Sequence, residues 1–209
     1  VLDGMAGNAR FVLGHNILDH DLPVLKKQFP NLVLHGLPVI DTLFLSPIAF
    51  PENPYHHLVK DYKLVSTALN DPVADARNAG LLFQDQFNVF EAMKEADAGL
   101  LRFYAWAFSE TMQPLFLSLE VAPFEEREAM GFFAECASNF GCETAARQTR
   151  VEKREAAAYA LAWLRVAGAN SILPPWVRHR FPEVVHIVRV MREIACNDPG
   201  CEYCQANHN

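Results

Sequence analysis

Four stretches in the second half of this chain place apolar residues at helical spacing and leave little room for strands. They are EAMKEADAGLLRFYAWAF (residues 91–108), FEEREAMGFFAECA (124–137), VEKREAAAYALAWL (151–164) and PEVVHIVRVMREIA (182–195). Apolar positions recurring every three or four residues give each stretch one face to bury, and none shows the alternation of a half-buried strand. From about Glu91 to Asn209 the chain is therefore predicted to be all-α, and the protein helix-dominated overall.

The first ninety residues read differently. Phe11, Val12 and Leu13 form a short apolar run before GHN and predict a buried strand. Asp21 to Phe29 then carries Leu22, Leu25 and Phe29 on one side, as a helix would. A second run, Leu37 to Leu45, has Val39 and Ile40 ahead of Asp41 and predicts another strand, after which SPIAFPENPY predicts a loop. Asp71 followed by Pro72 is a helix start, with a capping residue and a proline where its missing N–H costs nothing. Val73, Ala76, Ala79, Phe83, Phe87 and Phe90 continue that helix on one face. The chain thus divides into a mixed α/β part, 1–90, and a helical part, 91–209.

About half of the 209 residues are hydrophobic, enough to bury a sizeable core. The longest apolar candidate for a membrane span, AAAYALAWLRVAGA, is interrupted by Arg165, so no membrane partner is expected. Five cysteines, an odd number, argue against a disulfide framework and for a reducing compartment, the cytoplasm. The first residue is Val1, and VLDGMAGNARF lacks the order of a signal peptide, so the start reads as an internal cut. The net charge of −7 disfavours indiscriminate binding to nucleic acid. Locally, however, Arg147, Arg150, Lys153, Arg154, Arg165, Arg178, Arg180, Arg189 and Arg192 face only Glu152, Glu155 and Glu183 in the same segment. Such a run could meet phosphates or form a solvated helix face.

Three landmarks carry a family resemblance. LGHNILDHDLPVL resembles the second motif of DEDDh 3′→5′ exonucleases, in which a strand ends in His-Asn and an aspartate follows on the next helix. LPVIDTLFLS resembles that family's central strand with its Ile-Asp-Thr ending. NDPVADARNAGLL resembles the third motif, where a histidine precedes an aspartate by five residues at the start of the last helix. The resemblance implies a ribonuclease H-like α/β fragment over residues 1–90, with Asp21 and Asp75 as carboxylate ligands of Mg²⁺ or Mn²⁺ and His15 and Asn16 beside the substrate. Two divalent ions held by carboxylates can activate water and stabilise the leaving oxygen of a phosphodiester. The sequence departs from the family twice. The opening Asp-x-Glu motif is absent, and Asn70 stands where the family has its general-base histidine. An amide cannot take a proton from water at neutral pH, so Asn70 could orient water or phosphate but not act as base. His56 or His57 would have to substitute.

The run LPVIDTLFLSPIAFPENPYHHLVKDYKLV, with ANSILPPWVRHRFP and CNDPGCEYCQANH, resembles the region upstream of the helicase core in bacterial RecQ-like helicases fused to an exonuclease. This implies DNA as the nucleic-acid partner and a helicase core in the same parent chain.

Cys196, Cys201, Cys204 and His208 make a C-x4-C-x2-C-x3-H pattern, four soft or borderline donors suited to a tetrahedral structural zinc site, or else a group of unmetallated thiols. Cys136 and Cys142 read as core or incidental residues. Trp163 belongs to an apolar run and reads as core. Trp176, between Pro174–Pro175 and Arg178-His179-Arg180, is the candidate for a base contact, with Arg178 and Arg180 beside it for phosphate. Two functions are compatible with these readings. One is a metal-dependent 3′→5′ exonuclease fragment attached to a helicase, inactive by itself. The other is a decayed nuclease fold that binds DNA or serves as a structural module.

Overall fold

A computed structural model describes residues 2–53, 72–166 and 173–208. The described residues are helix-dominated and include one small sheet of two parallel strands, β1 (Val12–Gly14) and β2 (Val39–Asp41), in the register Val12↔Val39, Leu13↔Ile40, Gly14↔Asp41. Parallel neighbours need a crossover, and here it contains α2 (Asp21–Gln28) and a 3-10 turn at Val33–Gly36. A short helix, α1 (Leu2–Ala6), precedes the sheet and is fastened to the crossover where the Val33 N–H donates to Asp3.

The stretch after Asp41 corrects both the expected strand, which ran on to Leu45, and the start of the expected loop. Thr42–Ala49 is a helix, α3, with Pro47 inside it and every one of its residues buried. The Asp41 side chain starts it by accepting the Leu43 N–H at 3.0 Å. Proline is tolerated because the helix is only eight residues long and entirely enclosed, so packing outweighs the one lost backbone bond. The remaining loop residues from 54 on, with His56, His57, Asn70 and Asp71, lie outside the described residues.

The long helix α4 (Pro72–Ala96) begins at the expected proline and buries Ala79, Leu82, Gln86 and Phe90. It passes unbroken through Glu91, so the compositional change there falls inside a helix. The chain then turns at Asp97, which caps α5 (Ala98–Ala107) by accepting the Leu100 N–H. There follow α6 (Gln113–Ser118), α7 (Glu126–Ser138), α8 (Glu143–Gln148), α9 (Arg154–Leu164), α10 (Pro175–Arg180), α11 (Pro182–Arg192) and α12 (Glu202–Asn207). A reciprocal capping box between Glu125 and Glu128 opens α7. Among the described residues no helix is long and apolar enough to cross a membrane.

One apolar core unites both parts of the chain. At its centre is α9, whose Ala156–Ala162 run and Leu164 are all buried. A helix apolar all round must be enclosed by others, and α3, α5, α7 and α11 pack around it. The Tyr159 hydroxyl reaches the Phe44 carbonyl of α3 at 3.0 Å, satisfying its one buried polar group. Gln86 of α4 donates to the Thr42 carbonyl and the Ser46 hydroxyl, at 2.8 and 2.9 Å, and so fastens α4 to α3.

Candidate metal centre

Four thiols converge beside the main core. Cys142, Cys196, Cys201 and Cys204 hold their sulfurs within 4.8 Å of one another, and among the described residues they are the one such group of metal-ligating side chains. Cys142 is the N-cap of α8, at the turn that leaves α7. Its backbone N–H donates to the Met191 carbonyl at 2.8 Å, and Gly141 lies so close to Met191 that a Cβ there would meet that carbonyl at 2.8 Å. The α7–α8 turn is thereby pinned to the end of α11, and Cys142 is placed by the body of the fold. The other three come from the chain that follows α11. Cys201 stands at the N-cap position of α12 and Cys204 lies in its first turn, while Asp198 shapes the turn between Cys196 and Cys201 by accepting the Gly200 N–H.

The geometry fits a tetrahedral ion. Zinc–sulfur bonds of about 2.3 Å put neighbouring sulfurs ~3.8 Å apart, and Cys142 and Cys201 stand 3.6 Å apart. All five cysteines are free thiols. A four-iron cluster would spread its cysteines further, since each binds a different iron. Backbone N–H groups approach two of the sulfurs, Ala145 N–H toward Cys142 and Cys196 N–H toward Cys204, each at 3.4 Å. Such donors favour thiolate. The four thiols are not equivalent. Burial pushes Cys142 up to about 12, whereas hydrogen bonding at the Asp198 backbone brings Cys196 down to about 7. Four neighbouring thiolates repel one another, so an ion that neutralises them displaces protons as it binds. The cluster could hold a metal such as zinc; its sulfur donors do not suit Mg²⁺ or Mn²⁺, which take oxygen.

Cys142, read from sequence as incidental, therefore takes the fourth place expected for His208. Its signal was available: Cys136 lies within a helix, whereas Cys142 follows a glycine at a helix junction and leaves the cysteine count even around one ion. His208 is the C-cap of α12, with its ring 6.0 Å from Tyr203. It lines a cleft with Cys196 and Cys204. Its Nε2 is buried and has no hydrogen-bond partner among the described residues.

The residues expected at a nuclease site are distributed otherwise. Asp21 opens α2 on the surface, 3.7 Å from His20, and Asp75 is half-buried in the first turn of α4. Neither belongs to a group of three metal-ligating side chains among the described residues. The His15 Nδ1 is 2.9 Å from the Thr42 hydroxyl. Asn16, in the left-handed region at φ 59°, donates its N–H to Asp41 at 2.8 Å. Asp41 is fully buried and also accepts the N–H groups of Leu18 and Leu43. It knits the end of β1 to the end of β2, which sequence reading did not anticipate. Burial raises its pKa even against those three donors.

Trp176 packs into the core, 5.0 Å from Phe44 and 5.7 Å from Tyr159 between ring centres. Arg180 stacks on Phe44 at 4.7 Å and pairs with Asp19, Nη1 to Oδ2 at 2.6 Å. The basic segment is largely engaged within the fold. Arg154 reaches Glu126 at 3.0 Å, Arg165 reaches Asp97 at 3.2 Å, and Arg192 donates to the Leu164 carbonyl at 2.6 Å. Arg147 and Arg189 pair with Glu143 and Glu193 one turn away, and Lys153 donates to the Arg180 carbonyl. Arg178 is exposed at the end of α10.

Set against protein-family models, curated proteins and solved structures, the chain matches none of them.

Proposed function

We propose that this chain is a non-cleaving structural module of a cytoplasmic nucleic-acid-processing protein. In this reading residues 1–90 are the closing part of a DEDDh exonuclease-like, ribonuclease H-like fold. Residues 91–209 are a helical connector, stapled by a structural zinc ion, to a RecQ-like DNA helicase core in the same parent chain. The observation that carries the reading is the chemistry of the converging ligands: they are sulfurs, not carboxylates. Four thiolates close the coordination shell and leave no position for water or substrate, which is the pattern of a structural rather than a catalytic ion. The internal pairing of the basic segment supports the same conclusion, because arginines already matched to Asp19, Glu126 and Asp97 have little charge left for phosphates.

A second reading, a metal-dependent 3′→5′ exonuclease using Asp21 and Asp75 with Mg²⁺ or Mn²⁺ and Asn70 in the place of the base, is favoured by one observation. The strand ahead of His15-Asn16 pairs in parallel with the Ile-Asp-Thr strand, and α4, which bears Asp75, packs against β1.

One set of measurements separates the two. Protein purified without chelator is expected to contain one zinc per chain and to leave labelled single-stranded DNA intact with Mg²⁺ or Mn²⁺. Degradation abolished by Asp75→Asn would overturn the structural reading in favour of the enzyme. Salt-dependent DNA binding lost on charge reversal at Arg178 and Arg180 would make the module a DNA-positioning one.

A further inference from the structure

The segment after α11 carries more potential ligands than one tetrahedral ion can use. Cys201, Cys204 and His208 lie at i, i+3 and i+7 along α12 and its caps, hence on one face of that helix. The backbone confirms the spacing: the His208 N–H donates to the Cys204 carbonyl at 2.9 Å, one helical turn below. Cys196 faces the same cleft as Cys204 and His208. The segment therefore contains a complete three-thiol, one-imidazole set without help from the body. The body contributes one thiol, Cys142, from 54 residues before Cys196 in sequence (196 less 142). Beyond the thiols, few side-chain contacts tie the segment to the body: the Tyr203 hydroxyl donates to the Arg192 carbonyl at 3.5 Å and Thr144 to Asp198 at 3.2 Å, and the sulfurs form their own small buried cluster beside the main core. His208 meanwhile keeps a buried Nε2 with no hydrogen-bond partner among the described residues. A buried polar nitrogen without a partner is costly unless it has another use.

We propose that the centre has two coordination states: a docked four-thiolate state using Cys142, and an undocked state of three thiolates and one imidazole in which His208 replaces Cys142. The inference rests on the zinc reading above and adds a role for it: the ion stays with the C-terminal segment while the segment is fastened to, or released from, the body. In the exchange the bond from zinc to the Cys142 sulfur breaks and that thiolate takes a proton from water. The Nε2 lone pair of a neutral His208 imidazole forms the new bond. No electron is transferred, and the charge of the complex rises by one unit as an anionic ligand gives way to a neutral one. Both ligand sets are ordinary for structural zinc.

The test uses the full chain loaded with zinc, and with Co²⁺ as a spectroscopic stand-in. Wild type and His208→Ala are expected to bind one ion with the intense charge-transfer band of four thiolates. Cys142→Ser is expected to keep one ion but with a three-thiolate, one-nitrogen spectrum, while amide exchange at α12 accelerates. Cys142→Ser combined with His208→Ala is expected to retain none through gel filtration. Loss of the ion from Cys142→Ser alone, or from His208→Ala alone, would overturn the proposal. Thiol labelling of the zinc-loaded wild type provides a check that needs no variant. Under gentle warming Cys142 should be alkylated well before Cys196, Cys201 and Cys204, and simultaneous labelling of all four would also overturn it. Wild type that binds no zinc would instead sink the zinc reading itself.

Discussion

The helical body and the C-terminal segment are held by different physics. Around α9 the fold depends on buried apolar area and close packing, which are indifferent to metal, reductant or moderate changes of pH. Around α12 four sulfurs gather instead, and holding the segment through them would require that they be deprotonated, reduced and bridged by a metal. A short helix beside so small an apolar cluster gains little against its own ordering entropy, so with a metal bound its stability would be largely that of the ligand bonds. Stability in this molecule is therefore regional, and the two regions should answer to different perturbations.

Removing the metal is the largest way to separate them. Structural zinc is worth on the order of 10 kcal/mol in small thiolate sites at neutral pH. A strong chelator should abolish amide protection in Glu202–Asn207 while leaving the main thermal transition nearly unmoved. A collapse of the whole fold on chelation would show that the two regions are one cooperative unit. The converse perturbation is Leu161→Ala in α9, where the side chain is fully buried. It should cost about 2–5 kcal/mol in denaturant titration, and equally with and without metal.

A third perturbation bears on the seam between the strands and the body. An asparagine in place of Asp41 could still accept from Asn16 and Leu43 through Oδ1, but its amide would face the Leu18 N–H that Asp41 now accepts at Oδ2. Asp41→Asn should destabilise by about 1–3 kcal/mol, the cost of opposed buried donors. The pH dependence has a definite sign. Because burial raises the Asp41 pKa in the folded protein, the folded state binds the proton more tightly than the unfolded one. Its contribution is most favourable below the ordinary aspartate range and falls as pH rises through the raised value. A stability difference between wild type and the Asp41→Asn variant that grows with pH over that window would contradict this. The smallest effect is expected at Arg180→Ala. The Asp19 pair is about 40% exposed on each side, so its loss, with the stack on Phe44, should cost about 1 kcal/mol or less and shrink in salt.

Much of the helical body was legible, because periodicity reports burial directly: the runs at 151–164 and 182–195 contain α9 and α11, and the run at 124–137 covers all but the last residue of α7. Both strands were legible as short apolar runs, although the second stops at Asp41 where its run continues to Leu45, and Pro72 marked the start of α4. The helix at Thr42–Ala49 was hidden by Pro47, since local propensity argues against it and only the surrounding core argues for it. Of the metal centre, the three thiols close together in sequence were visible and the distant one was not. Spacing reports ligands that share a turn; it says nothing of a partner brought in by tertiary packing. The same limit concealed Asp19 as the partner of Arg180, 161 residues away.

The anchoring of Cys142 also determines how the molecule would carry force. With an ion in place, tension applied at the C-terminal end would leave the backbone at Cys204 and Cys201 and pass through metal–sulfur bonds to Cys142. From there the hydrogen bond at Met191 and the close seat of Gly141 would hand it to α7, α8 and the end of α11 together. Because Cys196 would hold the same ion, the stretch between α11 and Cys196 would carry only part of the load, and the rest would fall on the α7–α8 junction rather than on the end of α11 alone.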